Sequence, residues 1–279
     1  MTQAYSFHQL DVFTHQALMG NPLAVVHAAD DLSPELMARF ANWTHLSETC
    51  FLLKPCHELA DYKVRIFTPT VELAFAGHPT LGSCYAWLAQ GGQPKSKDFV
   101  VQECGVGLIK IRQNGQQLSF AAPALIKSGP LEDAILSQLA QGLGVALSDI
   151  THHQWVDNGP GWCVVMLKTH EAVLAIRPDP QLLKDFKVGV MGPYPSGGDA
   201  DYEVRAFAIP AGITEDPVTG SLNAGIARWL MREQMVGERY SVSQGKALGR
   251  RGQIFIEKVG DDIWVGGEVV SCIVGEVSL

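Results

Sequence analysis

EDPVTGS, Glu215 to Ser221, has a near twin in GHPTLGS, Gly77 to Ser83. Each is a Pro-containing loop that runs into Gly-Ser and then into a helical pattern. The likeness spreads outward from both. VRIF (Val64–Phe67) precedes one copy and VRAF (Val204–Phe207) the other, and YAWL (Tyr85–Leu88) follows one where ARWL (Ala227–Leu230) follows the other. The order is strand, loop, Gly-Ser, helix, twice over. Repeats of 20–50 residues build solenoids, whereas a period near ~140 marks a duplicated domain. Two related halves suggest a ligand cleft where they meet, a favoured place for a small-molecule site.

The amide groups of a helix's first turn have no intrahelical partner, and the helix dipole draws negative charge to them. Read as helix openings, Gly82-Ser83 and Gly220-Ser221 suit a small carboxylate or a developing enolate. The glycines let backbone approach a ligand, and Ser83 and Ser221 either cap their helices or bind that ligand. His78 and Asp216 take equivalent slots in the two turns under this reading. An imidazole titrating near ~6.5 both gives and takes protons. Glu48, in THLSETCFLL, stands between a helix end and an apolar strand. Either it faces solvent, or desolvation raises its pKa and makes it a usable acid/base. Asp157, in WVDNGPG, corresponds loosely to Glu48 in the second half.

The rest of the chain reads as an α+β protein. SPELMARFANWT is a helix with Ser33 as N-cap and Pro34 at its first position. FVVQEC, GLIKIRQ and QQLSFAA form a meander with a turn at Asn114-Gly115. PALIKSGP is a linker, MGPYPSGGDAD a Gly/Pro-rich loop, and QIFIEKVG, DIWVGGEVV and SCIVGEVSL a closing three-strand meander. QGKALGRRG reads as a turn before a strand.

Composition narrows the classes of function. Apolar residues make up 47% and charged residues 18%, enough to bury sizeable cores. A net charge of −8 with no Lys/Arg cluster speaks against nucleic acid. No apolar run reaches the ~18–20 residues of a membrane span, and the first residues lack a signal peptide's pattern, so the expected place is the cytoplasm. The six cysteines are scattered and read as buried thiols. The spacing of Cys50, Cys56 and His57 matches no usual zinc site, and no metal is expected. There is no GxSxG and no phosphate loop.

With these residues in place, the chain resembles the phenazine-biosynthesis isomerase (PhzF-like) family. The resemblance rests on DVFTHQALMGNPLAVV, LSET, FTPTVELAFAGHPTLG, GITEDPVTGS and SQGKALGR. It implies two pseudo-symmetric diaminopimelate epimerase-like domains, each a β-barrel-like sheet round a central helix. The first would span 1–122 with a returning C-terminal strand at about 264–279, and the second 123–263. It implies Glu48 as principal acid/base, with Asp216 and His78 assisting, and substrate contacts from Ser47, Gly77, Gly220 and Ser221 beside Ser83. It implies no cofactor, a homodimer, and a proton moved on a small carboxylate-bearing substrate, perhaps cyclic and dihydro-hydroxyanthranilate-like. Racemases of related architecture use two cysteines, at slots held here by Ala76 and the Asp216–Val218 stretch. Ala74, Arg251 and Asn223 depart from the family's pattern and leave the substrate open. The alternatives are a racemase using non-thiol bases and a binding protein that keeps the cleft without turnover.

Overall fold

The computed structural model describes residues 3–279. The chain divides into two compact units: the residues through Ala121 with Gly266–Leu279, and Ala122–Val265.

In the first unit, strand β1 (Ala4–Val12) pairs antiparallel with β2 (Asn21–Val26). Helix α1 (Pro34–Thr44) follows. The Ser33 hydroxyl accepts from the Leu36 amide, and the helix ends at His45, which takes a left-handed conformation. Strand β3 (Glu48–Leu53) returns parallel to β2, as its continuous apolar run requires of a strand covered on both faces. Then come β4 (Tyr62–Phe67), the short β5 (Glu72–Leu73), α2 (Gly77–Ala89), β6 (Val100–Cys104), β7 (Gly107–Asn114) and β8 (Gln117–Ala121).

The second unit repeats this programme after two additions, β9 (Lys127–Gly129) and α3 (Asp133–Leu143). Its elements are β10 (Ile150–Asp157), β11 (Trp162–Leu167), α4 (His170–Ala175), β12 (Lys187–Pro193), β13 (Tyr202–Ala208), β14 (Ile213–Asp216), α5 (Gly220–Arg232), β15 (Arg239–Gln244), β16 (Gly252–Val259) and β17 (Asp262–Ser278).

The first unit closes into a ring of eight strands: β1, β2, β3, β4, β6, β7, β8 and the far part of β17, which pairs back onto β1. Helix α2 packs against β1, β2, β3, β4, β6 and β8, so it runs through the ring. Its residues from Gly77 to Cys84 are all buried, which a helix apolar all round demands. Gly82 is a point of closest approach: a Cβ there would meet Leu23 Cδ2 at 2.3 Å. Helix α1 lies outside the ring and covers a second core of Tyr5, Val26, Met37, Phe40, Phe51 and Phe67.

In the second unit β9 to β13, β15, β16 and the start of β17 form the corresponding sheet. The stretch before β9 joins its ends: the Ala122 amide donates to the Ile263 carbonyl and the Ile126 amide to the Asp157 carbonyl, both at 2.7 Å. The stretch read as a linker is therefore partly strand. Helix α5 packs against β10, β11 and β16, and a Cβ on Gly225 would meet the Val156 carbonyl oxygen at 2.2 Å. Helices α3 and α4 bury Leu139, Leu143 and Val173 against β11 and β12.

Two expectations need correcting. The closing meander has two strands rather than three, because β17 runs unbroken for 17 residues. Its second part is held straight by β1, and a bulge between Gln9 and Leu10 absorbs the slip in register. Helix α2 opens at Gly77, earlier than Gly82-Ser83. Pro79 is accommodated because an amide in the first turn needs no intrahelical partner. Gly82-Ser83 thus lies in the second turn, and only Gly220-Ser221 opens a helix.

Candidate active site

The true correspondence of the halves follows from matched contacts inside each unit. Arg65 grips Glu72 through two bonds of 2.7 Å, and its guanidinium lies 5.1 Å from the Phe67 ring centre. Arg205 grips Glu215 through bonds of 2.9 and 2.8 Å and lies 5.0 Å from the Phe207 ring centre. Each arginine is on the strand before the loop and each glutamate on the short strand after it. Both helices have 13 residues, begin with Gly and carry their close-approach glycine at the sixth position. One turn in, Thr80 Oγ1 donates to the Ala76 carbonyl as Asn223 Nδ2 donates to that of Thr219, both at 2.9 Å.

So Gly77 answers to Gly220, His78 to Ser221 and Ala76 to Thr219, 143 positions apart, whereas the Gly-Ser likeness pairs positions 138 apart. His78 and Asp216 are not equivalent: Asp216 ends β14, where the first unit has Leu73. The same reasoning moves Asp157. Thr49 faces Phe67 as Val188 faces Phe207, so the counterpart of Glu48 is Lys187. Asp157 answers to Asp11, and the two do the same job. Asp11 Oδ2 accepts from the Gly20 amide at 2.9 Å, and Asp157 Oδ1 from the amides of Gly159 and Gly161 at 2.7 Å. Both are anchors of a hairpin loop.

In the first unit, the start of β3 and the start of α2 bring two predicted residues together. Glu48 Oε2 lies 3.3 Å from His78 Nε2, with 14% of the Glu48 side chain exposed. Asn21, wholly buried at the start of β2, places Nδ2 3.4 Å from His78 Nδ1. Burial is the largest effect on the imidazole, for His78 is 4% exposed, and it lowers the pKa to about 3 against a bond to the Pro22 carbonyl that favours the protonated form. At neutral pH His78 is a neutral hydrogen-bonding imidazole.

Helix α2 has no side-chain cap, and its cap residue Ala76 is extended. Gly77 is buried at the opening of the helix, and Ser47 is half-buried just before β3. Ser83 is fully buried against Cys50, whose thiol burial pushes up to about 12. Ser83 is thus a core residue behind the helix start.

In the second unit, α5 also lacks a side-chain cap. Asp216 is buried, and its Oδ2 accepts from the Thr219 hydroxyl at 2.5 Å. Ser221 is engaged at both polar ends: Oγ accepts from Trp162 Nε1 at 3.1 Å, and its carbonyl from Asn158 Nδ2 at 2.9 Å. Asn21, Trp162 and Thr219 touch the predicted residues and carry no signal in the sequence beyond being large or polar residues at the ends of elements: Asn21 and Trp162 open their strands, and Thr219 precedes α5.

Among the described residues, no group of three or more His, Cys, Asp or Glu is arranged to hold a metal ion. No helix among them is long and apolar enough to cross a membrane.

Comparison with known proteins gives the family and the fold. Residues 10–273 match the family model described as phenazine biosynthesis-like protein, PhzC-PhzF. The chain is 34% identical over 297 residues to antisense-enhancing sequence 1 of Schizosaccharomyces pombe, covering 98% of each. It is 31% identical to trans-2,3-dihydro-3-hydroxyanthranilate isomerase of Pseudomonas aeruginosa, over 95% of this chain and 92% of that one. A crystal structure of a PhzF-family protein from Enterococcus faecalis matches with a TM-score of 0.82 at 25% identity, over 99% of this chain and 100% of that one. A hydroxyproline epimerase from Agrobacterium vitis shares the fold alone, with a TM-score of 0.62 at 14% identity over 99% of this chain and 93% of that one.

Proposed function

This chain belongs to the phenazine biosynthesis-like PhzC-PhzF family and is an isomerase, and on that premise we propose that it moves a proton on a small carboxylate-bearing metabolite, with Glu48 as the principal acid/base. The observation that carries the reading is the 3.3 Å approach of Glu48 to His78 at the uncapped start of a buried helix.

Glu48 takes a proton from a carbon next to a conjugated system and returns it to another carbon of the same molecule. One C–H bond breaks and one forms, so no oxidant, reductant or cofactor enters the balance. The substrate anion rests on the amides of the helix start, which favour negative charge as it develops. Neutral His78 holds the Glu48 carboxyl in place and hydrogen-bonds to polar groups of the substrate. Ser47 and Gly77 line the same place. In the second unit Asp216 assists proton movement, with Gly220 and Ser221 at its helix start. The helix caps Ala76 and Thr219 carry no thiol, which supports carboxylate chemistry over a two-cysteine racemase. The reading includes a cytoplasmic homodimer, and sedimentation of the purified protein tests the dimer.

The experiment is solvent deuterium incorporation into trans-2,3-dihydro-3-hydroxyanthranilate and other small cyclic acids, in D2O, by the wild type and by Glu48→Ala. Exchange should collapse in the variant while its circular dichroism and Tm stay close to wild type. Equal exchange in both proteins would end the Glu48 mechanism. Loss of optical purity alongside exchange would make the reaction a racemisation.

A further inference from the structure

Trp162 opens strand β11, is 3% exposed, and places its indole Nε1 3.1 Å from Ser221 Oγ. An indole nitrogen donates and cannot accept, so the serine oxygen is the acceptor of this bond and the hydroxyl hydrogen is turned away from the ring. Among the described residues, none accepts that hydrogen. Ser221 is the second residue of α5 and is half-buried, so its side chain is not sealed in the core.

The main chain of Ser221 is held from the same hairpin. Asn158 Nδ2 donates to its carbonyl at 2.9 Å, and Asp157 Oδ1 shapes the loop between Asn158 and Trp162 by accepting from the Gly159 and Gly161 amides at 2.7 Å. The first unit shows that packing alone does not call for an indole here. Ala24 faces Thr49 as Cys163 faces Val188, so Leu23 has the place of Trp162. Leucine fills that slot and offers no donor, and the helix beside it carries His78 where α5 carries Ser221. The indole N–H occurs in the unit whose helix start has a hydroxyl to orient.

We propose that Trp162 is a positioning residue, which holds the Ser221 oxygen so that the hydroxyl donates to an anionic oxygen of the substrate. An oxygen that already accepts one hydrogen bond donates its own hydrogen more strongly. The inference rests on the reading of Ser221 as a substrate contact. It adds a residue outside that set, on a different element.

The test compares Trp162→Phe, Ser221→Ala and the double variant. Trp162→Phe keeps an aromatic ring in the slot and removes the donor. The probe is anthranilate, a stable aromatic acid, whose Kd is read by calorimetry without turnover. Deuterium incorporation into trans-2,3-dihydro-3-hydroxyanthranilate gives kcat and KM. Trp162→Phe and Ser221→Ala should each raise the Kd for anthranilate about fivefold, the worth of one hydrogen bond, and raise KM alike with kcat within twofold of wild type. The double variant should bind no more weakly than Ser221→Ala. The ¹⁵N indole resonance of Trp162 should move when anthranilate binds the wild type and stay in place when it binds Ser221→Ala, a readout that stands should Trp162→Phe fail to fold.

The proposal is overturned if anthranilate binding falls in Ser221→Ala and not in Trp162→Phe. It is overturned equally if Trp162→Phe weakens the Ser221→Ala protein further, the mark of a packing role, or if the wild-type indole resonance does not respond. Unchanged binding in Ser221→Ala would instead end the reading of Ser221 as a contact. Absence of anthranilate binding in the wild type also overturns the proposal, and the Glu48→Ala exchange experiment then tells whether the proposed function stands on another acid.

Discussion

The Glu48 carboxylate lies 3.3 Å from Nε2 of a neutral, buried His78. An uncharged imidazole beside a carboxylate makes no fixed ion pair, and on the reading proposed above Glu48 is the group that exchanges the proton. Glu48→Gln keeps the volume and removes the base. It should lower kcat for deuterium incorporation by ~10²-fold or more, while Tm stays within a few degrees. His78→Gln should lose less. A Glu48→Gln enzyme within threefold of wild type would remove Glu48 from the chemistry.

The depressed pKa of His78 predicts a pH dependence of stability. Its folded value of about 3 lies below its ordinary value near ~6.5. Between those values the unfolded chain binds a proton that the folded chain does not, so stability is complete above about pH 6.5 and falls as the pH drops toward 3. His27, lowered to about 4 by burial and by its neighbour His8, adds to the same trend. Comparing wild type with His78→Gln cancels that shared part. Urea unfolding at pH 7 and pH 5 should show the wild type losing about 2 kcal/mol more than the variant over this interval. Parallel losses in the two proteins would mean that the ring is protonated when folded.

The two arginine–glutamate pairs have the same geometry in different surroundings. The Arg205–Glu215 side chains are 5% and 8% exposed, those of Arg65–Glu72 23% and 42%. Arg205 also donates to the carbonyls of Val173 and Ile176 at the end of α4. Glu215→Ala strands a buried guanidinium and should destabilise by about 3 kcal/mol or more. Glu72→Ala should cost ~1 kcal/mol or less. Chemical denaturation of both variants checks the order. Equal losses would mean that burial does not set the worth of the pair.

The close-approach glycines make a similar contrast. A methyl group at Gly225 would meet the Val156 carbonyl oxygen, and one at Gly82 the tip of the Leu23 side chain. Backbone yields less readily than a side-chain methyl. Gly225→Ala should therefore destabilise by ~3 kcal/mol, the upper end for overpacking, and Gly82→Ala by less. Alanine's better helix propensity offsets ~1 kcal/mol in each. Thermal unfolding gives the order, and a more stable Gly225→Ala variant would refute it.

What the sequence disclosed was the duplication, the helices capped by Ser33-Pro34 and opened by Gly220-Ser221, and the Asn114-Gly115 turn. These depend on residues adjacent in sequence. The register between the halves was misread because a dipeptide match, Gly82-Ser83 with Gly220-Ser221, outweighed spacing. The frame is set by contacts across strands, Arg65 to Glu72 and Gly82 to Leu23, which no short motif records. Asn21 escaped notice for the same reason: it is a polar residue in an apolar strand, and its partner His78 lies on a distant helix. Glu48 stood out as more than a strand-edge carboxylate only through the family resemblance, since burial and the nearness of His78 are properties of the folded chain. The break expected within the last strand was wrong because pairing with β1 continues past the small residues near Ser271.

The last strand also bears on how the molecule is born. A nascent chain emerges from the ribosome N-terminus first, yet the first ring stays one stave short until Gly266–Leu279 have left the exit tunnel. Until then β1 and β8 are open edges. The later-made unit is continuous in sequence and has its strands in hand sooner, so the half that is translated first is the half that is finished last.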